Sequence, residues 1–189
     1  MRDSCETIIR PAIDSDLGYI LSLSKAESKS LGFIPKMAYE SAITGIKTGK
    51  RWSNKCNDKL FVAEENGDLV GFVLGSFGIP TALQSNRIAK VAQICLQEDA
   101  RMIRRGRMLL DSFIEHGKSM GVCNFRCGCA DDLESNMFWL SMGWVLEGSR
   151  MGISYKNTWI ETSKRKVNIY TYRTMDLFMP ESIIYRLNA

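Results

Sequence analysis

The stretch with the clearest chemical character runs from Cys95 to Leu110 and places Arg101, Arg104, Arg105 and Arg107 around Met102, Ile103 and Gly106. An apolar run ends at Leu96, a polar turn follows at Gln97-Glu98-Asp99, and an amphipathic pattern then begins. A helix starting there presents unpaired N–H groups and the positive end of its dipole, which suits an anion. Gly106, with no Cβ, lets a phosphate come near the backbone. The same residues also describe an amphipathic helix whose basic face is simply solvated.

Groups able to move a proton are few. His116 is the only histidine and lies inside the same helical pattern, one turn beyond Phe113. Asp131 and Asp132 follow an apolar segment. If that segment is a strand, they stand at its C-terminal end, where open α/β sheets form their ligand crevices. Asp132 is the carboxylate candidate for a general base, and both aspartates could instead cap the next helix. Gln93, on the strand before the arginine-rich stretch, could bind an acceptor or face solvent. Glu98 and Asp99 fit solvated turn positions. Cys123, Phe125, Cys127 and Cys129 share one strand face by their period of two. No metal is expected there, because zinc sites favour Cys-x-x-Cys and Cys-x-Cys on a strand packs as small apolar side chains.

The elements that must position these groups follow from the pattern. Thr7 to Arg10 reads as a first strand ended by Pro11, and Asp14 or Ser15 can cap a helix with Leu17, Ile20, Leu21 and Leu23 on one face. Gly32 and Pro35 break the chain before a second helix over about 36–47. Leu60–Ala63 and Leu69–Leu74 flank Asn66-Gly67, and that dipeptide between apolar runs predicts a tight hairpin with positive φ at both centres. A strand over 89–96 and a helix over 102–120 ending near Gly117 and Gly121 come next. A strand over 123–129, a short helix over 133–142, and late strands over 144–153 and 167–172 joined by a long polar connection complete the series, with a terminal helix over 180–187. This order implies a mixed α/β (α+β) sheet of six to seven mostly antiparallel strands flanked by helices.

With 189 residues, 45% of them hydrophobic, and no repeat or low-complexity linker, the chain reads as one domain over 1–189, with a core about 7–172 and a tail 173–189. No apolar run is long enough to span a membrane, and the N-terminus carries no secretory pattern, so a cytoplasmic location is expected, with six free cysteines and no disulfides. The net charge of +4 fits an anionic cofactor or a nucleic acid without requiring either.

The arginine-rich stretch resembles the acyl-CoA pyrophosphate loop of the GNAT (Gcn5-related N-acetyltransferase) family, Gln/Arg-x-x-Gly-x-Gly/Ala, with Arg101 at its first position and Gly106 at its last. Arg104 stands where the family has its first glycine. Asn136 through Phe138, Trp139 and Gly143-Trp144 resembles the family's motif of an asparagine, paired aromatics and Gly-aromatic after the fifth strand. The resemblance covers about 7–172. It implies acetyl-CoA or another acyl-CoA as cofactor, held by Leu96, the 101–107 loop, Asn136 and Trp139. It also implies an unidentified amine acceptor that attacks the thioester directly, with an oxyanion donor near Leu96. The family's catalytic tyrosine falls on Trp139, whose indole N–H only donates and cannot serve as a general acid. Leu31-Gly32-Phe33-Ile34-Pro35 further resembles a phage and mobile-element subgroup. Two other readings stay open. One is a Mom-like enzyme modifying adenine in DNA, with the basic late segment (Arg150, Lys156, Lys164, Arg165, Lys166, Arg173) on phosphates and Tyr155, Trp159, Tyr170 and Tyr172 stacking on bases. The other is a non-catalytic binding protein, suggested by Arg104 and Trp139.

Overall fold

The computed structural model describes residues 6–46, 56–78, 88–101, 103–156 and 161–174; the side chains of Cys56, Ile103, 152–156 and 161–165 are not among those described. In chain order these residues form β1 (Thr7–Pro11), a 3-10 turn (Asp14–Asp16), α1 (Leu17–Ala26), α2 (Ser28–Leu31), α3 (Lys36–Thr44), β2 (Cys56–Glu65), β3 (Asp68–Gly78) and β4 (Ile88–Leu96). There follow α4 (Ile103–Ser119), β5 (Asn124–Ala130), α5 (Ser135–Ser141), β6 (Val145–Lys156) and β7 (Glu161–Arg173). One seven-stranded sheet runs β1-β2-β3-β4-β5-β7-β6. All neighbours are antiparallel except β4 and β5, whose parallel pairing requires the α4 crossover.

Local signals explain the sharpest features. Asn66 has φ 52° and Gly67 φ 89°, the double positive φ expected of the β2–β3 turn. Helix α4 ends in a Schellman arrangement: Gly121 has φ 75°, its N–H donates to Lys118 O at 2.8 Å, and Val122 N–H donates to Gly117 O at 2.9 Å.

Each face of the sheet carries its own core. Against α4 and α5 pack Val73, Phe77, Val91, Leu109, Phe113, Phe125, Trp139, Trp144 and Tyr170. Against α1 and α3 pack Ile20, Leu23, Tyr39, Leu60, Val62, Phe72, Leu74 and Cys95. An unbroken chain of neighbouring rings threads the first core: Phe61, His116, Phe77, Phe113, Phe125, Tyr172, Trp144, Trp139 and Phe138, with successive centroids 4.6 to 6.4 Å apart. Phe125, Cys127 and Cys129 are buried on this side, so the cysteine-rich strand face packs as small apolar volume.

Several expectations are corrected. Neither Asp14 nor Ser15 caps α1. Asp16 is the carboxylate that matters, buried and accepting from Arg10 at 2.7 and 3.1 Å and from Ile13 N–H at 2.9 Å. The Arg10 guanidinium holds that carboxyl below the usual aspartate range. Asp131 and Asp132 do not cap α5, whose N-cap position is Glu134 without a side-chain cap. The long polar connection is largely strand, since β6 and β7 stay paired from Val145↔Thr171 to Lys156↔Glu161. The segment 180–187 lies outside the described residues. No helix among the described residues is long and apolar enough to cross a membrane.

His116 sits edge-on to Phe61 and Phe77, and its Nε2 is buried with no hydrogen-bond partner among the described residues. Burial, with Lys59 nearby, holds its pKa below 6.5. The unfolded chain therefore takes up a proton that the folded chain resists. Stability from this residue is full above pH 6.5 and falls as pH drops toward the folded pKa. Thermal melts between pH 7.5 and 5.5 are expected to show a declining Tm, and His116→Phe, which keeps the ring packing, should flatten that part of the slope.

Candidate functional site

The site begins with an irregularity in β4. Gly75 pairs with Val91 but Leu74 pairs with Gln93, which leaves Ala92 as an extra residue. Ala89 and Val91 face α4; beyond the bulge it is Ile94 and Leu96 that do so, while Cys95 turns to the α1–α3 side and Gln93 reaches Tyr39 there. Pairing with β5 ends at the same place, its last partners being Val91 and Cys127. β5 continues to Ala130 alongside β7, so a cleft opens between the C-terminal halves of β4 and β5.

Strand geometry then says which backbone groups face this cleft. Gln97 N–H donates to Val70 O at 2.9 Å, which assigns the backbone groups of Gln97, Cys95 and Gln93 to β3 by alternation. Those of Ile94 and Leu96 point the other way, into the cleft. The Leu96 carbonyl accepts Arg101 Nε at 3.3 Å, and Arg101 reaches on to Glu27 at 2.5 Å. A tight turn follows, with Ala100 N–H on Gln97 O at 3.0 Å and Arg101 N–H on Glu98 O at 3.3 Å, and α4 starts at Ile103. Two N–H groups in a cleft beside a helix N-terminus can hold a carbonyl and a phosphate.

The structure distributes the expected residues unevenly around this cleft. Leu96, Arg101 and the start of α4 come together. Arg104 and Arg107 are exposed and have no ion-pair partner among the described residues. Met102 and the Ile103 side chain lie outside the described residues. Arg105 departs from the expectation, because its guanidinium pairs with Glu65 and turns toward β2. Gly106 is buried beneath Phe138, with a Cβ there lying 2.9 Å from Phe138 Cε2 and 3.8 Å from Leu96 Cδ1. The missing Cβ thus lets α4 approach α5 and the end of β4.

Asn136 also departs from the expectation. Its amide donates to Ala130 O at 2.7 Å, Asp131 O at 3.3 Å and Leu133 O at 2.6 Å, and its carbonyl accepts from Asn168 at 3.0 Å and Tyr170 at 2.9 Å. It therefore fixes the β5–α5 turn to β7, with its side-chain donors and acceptor engaged within the chain. Trp139 is 5% exposed and packs edge-on to Trp144, so it is core. Tyr170 is buried in the core, and Tyr172 is half-buried and stacked on Trp144. Tyr155, Trp159 and the side chains of Lys156, Lys164 and Arg165 are outside the described ones. Asp132 is exposed after β5, next to Asp131, which lies 3.9 Å from Lys166.

Gln93 neither faces solvent nor offers free groups. It is 3% exposed, accepts Tyr39 Oη–H at 2.5 Å, and donates to Leu31 O at 3.4 Å and Gly32 O at 3.1 Å. Tyr39 is also 2.8 Å from Ser24 Oγ. This buried network pins the loop between α2 and α3 across β4 and presents Phe33 at 81% exposure. Close by, burial pushes the Cys95 thiol up to about 12, so it is no nucleophile at neutral pH. Tyr19 Oη is buried without a partner among the described residues, and burial keeps it protonated. Nothing in the local sequence around Glu27, Tyr39 or Glu65 marks them as part of the site.

A model of the acetyltransferase (GNAT) family matches residues 32–144. No curated protein matches the sequence. Among solved structures, the chain is similar to a ribosomal-protein-alanine N-acetyltransferase from Brucella melitensis, with 19% identity, TM-score 0.65, and 88% of this chain and 99% of that one covered. It is also similar to Arabidopsis thaliana NAA60 in complex with a bisubstrate analogue, with 11% identity, TM-score 0.70, and 89% and 98% covered. A Salmonella typhimurium acetyltransferase that modifies the N-terminal serine of ribosomal protein L7/L12 shows 18% identity and TM-score 0.65, with 91% and 96% covered.

Proposed function

Because the chain belongs to the acetyltransferase (GNAT) family, we propose that it transfers an acetyl group from acetyl-CoA to an amine, holding the thioester in the cleft between β4 and β5. The observation that carries this reading is the end of β4–β5 pairing at Val91 and Cys127, which leaves the Ile94 and Leu96 amides facing the gap beside the N-terminus of α4.

Bound acetyl-CoA supplies an activated acyl carbon. The chain's own part is positioning and electrostatics. The Ile94 and Leu96 N–H groups would donate to carbonyl groups of the bound cofactor, and the first turn of α4, with exposed Arg104 and Arg107, would receive its pyrophosphate. Arg101 stands at the mouth, tying the Leu96 carbonyl to Glu27 and so joining the cofactor loop to the end of α1. The acceptor amine enters from the α1–α3 side of the sheet, where the pinned loop displays Phe33. Asp132, at the C-terminal end of β5, takes the proton that the amine loses, directly or through water, as the C–S bond breaks and CoA leaves as a thiolate that is protonated from water.

One of the three solved structures named above is an acetyltransferase that modifies the N-terminal serine of a ribosomal protein, and a terminal amine is the acceptor class to screen first. The test is calorimetric titration with acetyl-CoA and with CoA. Micromolar binding is expected, and Arg101→Ala should weaken it about tenfold, the loss of one charge-assisted hydrogen bond. Absence of binding by the unaltered chain would sink the proposal.

A further inference from the structure

Arg105 and Glu65 form the most enclosed ion pair among the described residues, and the chemistry proposed above does not use it. Glu65 is the last residue of β2 and is 8% exposed. Arg105, in the first turn of α4, donates from Nε to Oε1 and from Nη2 to Oε2, the latter at 2.6 Å. Thr7, the first residue of β1, donates its hydroxyl to the same Oε1 at 2.5 Å. A carboxylate withdrawn from water adds little net stability even when well paired, while losing one partner is costly. What such a pair does supply is geometry, because a fork holding both oxygens fixes rotation as well as distance.

The place it fixes is the start of α4. Arg105 immediately precedes Gly106, whose Cα face lies against Phe138 and Leu96. One side of the helix is thus held by a two-point bond to the β1–β2 corner and the other by a close ring contact. Rotation of the first turn breaks the fork and obliges the Phe138 ring to shift. We infer that Glu65 and Arg105 are positioning residues that aim the N-terminus of α4 at the cleft mouth, and so set the affinity for the phosphate end of the cofactor. The inference rests on the cofactor assignment proposed above.

The test compares CoA with pantetheine, which shares its thiol arm but carries no phosphates. Dissociation constants are measured for the unaltered chain, for Arg105→Lys and for the double variant Glu65→Leu/Arg105→Met, together with thermal melts. Lysine keeps the charge and loses the fork. The double variant leaves net charge unchanged and removes the buried charges together, so its Tm should stay near that of the unaltered chain. In both, the Kd for CoA is expected to rise about tenfold, comparable to one lost charge-assisted hydrogen bond, with the Kd for pantetheine unchanged. An unchanged CoA Kd in Arg105→Lys or in a folded double variant overturns the inference, as does an equal rise for both ligands, which would mean general loosening. If the unaltered chain binds no CoA, the proposed function fails first and the inference falls with it.

Discussion

Gly106→Glu is expected to abolish measurable acetyl-CoA binding, a loss on the order of 100-fold or more, equivalent to about 3 kcal/mol. The substitution puts a carboxylate beside the helix end that is to receive a pyrophosphate, reversing the local charge. It also adds bulk where a Cβ alone would lie 2.9 Å from Phe138 Cε2. Because the glycine is buried, the variant should also melt earlier than the parent chain. Gly106→Ala separates the two effects. The atom it meets belongs to a side-chain ring, so a small shift of Phe138 accommodates the methyl group and the fold persists. If titration shows Gly106→Glu binding acetyl-CoA normally, the phosphate end of the cofactor does not lie at this turn.

Phe113→Ala is expected to be the most destabilising single change in the core, costing about 3–5 kcal/mol. Phe113 is fully buried on α4, with its ring 4.6 Å from that of Phe77 and 6.3 Å from that of Phe125. Its ring also fills the space above Gly75, where a Cβ would approach within 2.4 Å. Backbone on one side and rings on the other leave little freedom for collapse into the resulting void. At a few degrees per kcal/mol for a chain of this size, Tm should fall by about 10 °C, readable by calorimetry. A drop of only a degree or two would mean that α4 relaxes onto the sheet and fills the void.

What was legible in the sequence was whatever is encoded over a few residues. Asn66-Gly67 specified its own turn, Gly121 its helix end, and Phe125, Cys127 and Cys129 their shared face by alternation. The strand–turn–helix around Arg101 was also local, because an apolar run, a polar gap and an amphipathic run occur in that order. Pairings across the chain were not legible. Glu65 lies 40 residues from Arg105, Tyr39 54 from Gln93, and Asn136 34 from Tyr170. Nothing near Asn136 indicates that β7 supplies donors to its carbonyl, so the local sequence carries only the ligand role that the family resemblance implies. The bulge at Ala92 was hidden for a different reason. Ala89 to Leu96 reads as an ordinary strand, and only the register with β3 shows that its faces exchange midway.

The ring chain that runs through the α4 side of the core has an optical consequence. Trp139 and Trp144 meet edge-on with centroids 4.9 Å apart, and Trp144 stacks on Tyr172 at 5.8 Å. At those separations the excited states of the two indoles couple, and tyrosine passes its excitation to tryptophan. Phe138 touches Trp139 on one side and lies over Gly106, at the cleft, on the other. On the proposed placement of the cofactor, a ligand entering between β4 and β5 reaches a ring that is in contact with these two indoles. Emission and near-ultraviolet dichroism are therefore the expected readouts of cofactor binding, with no attached dye.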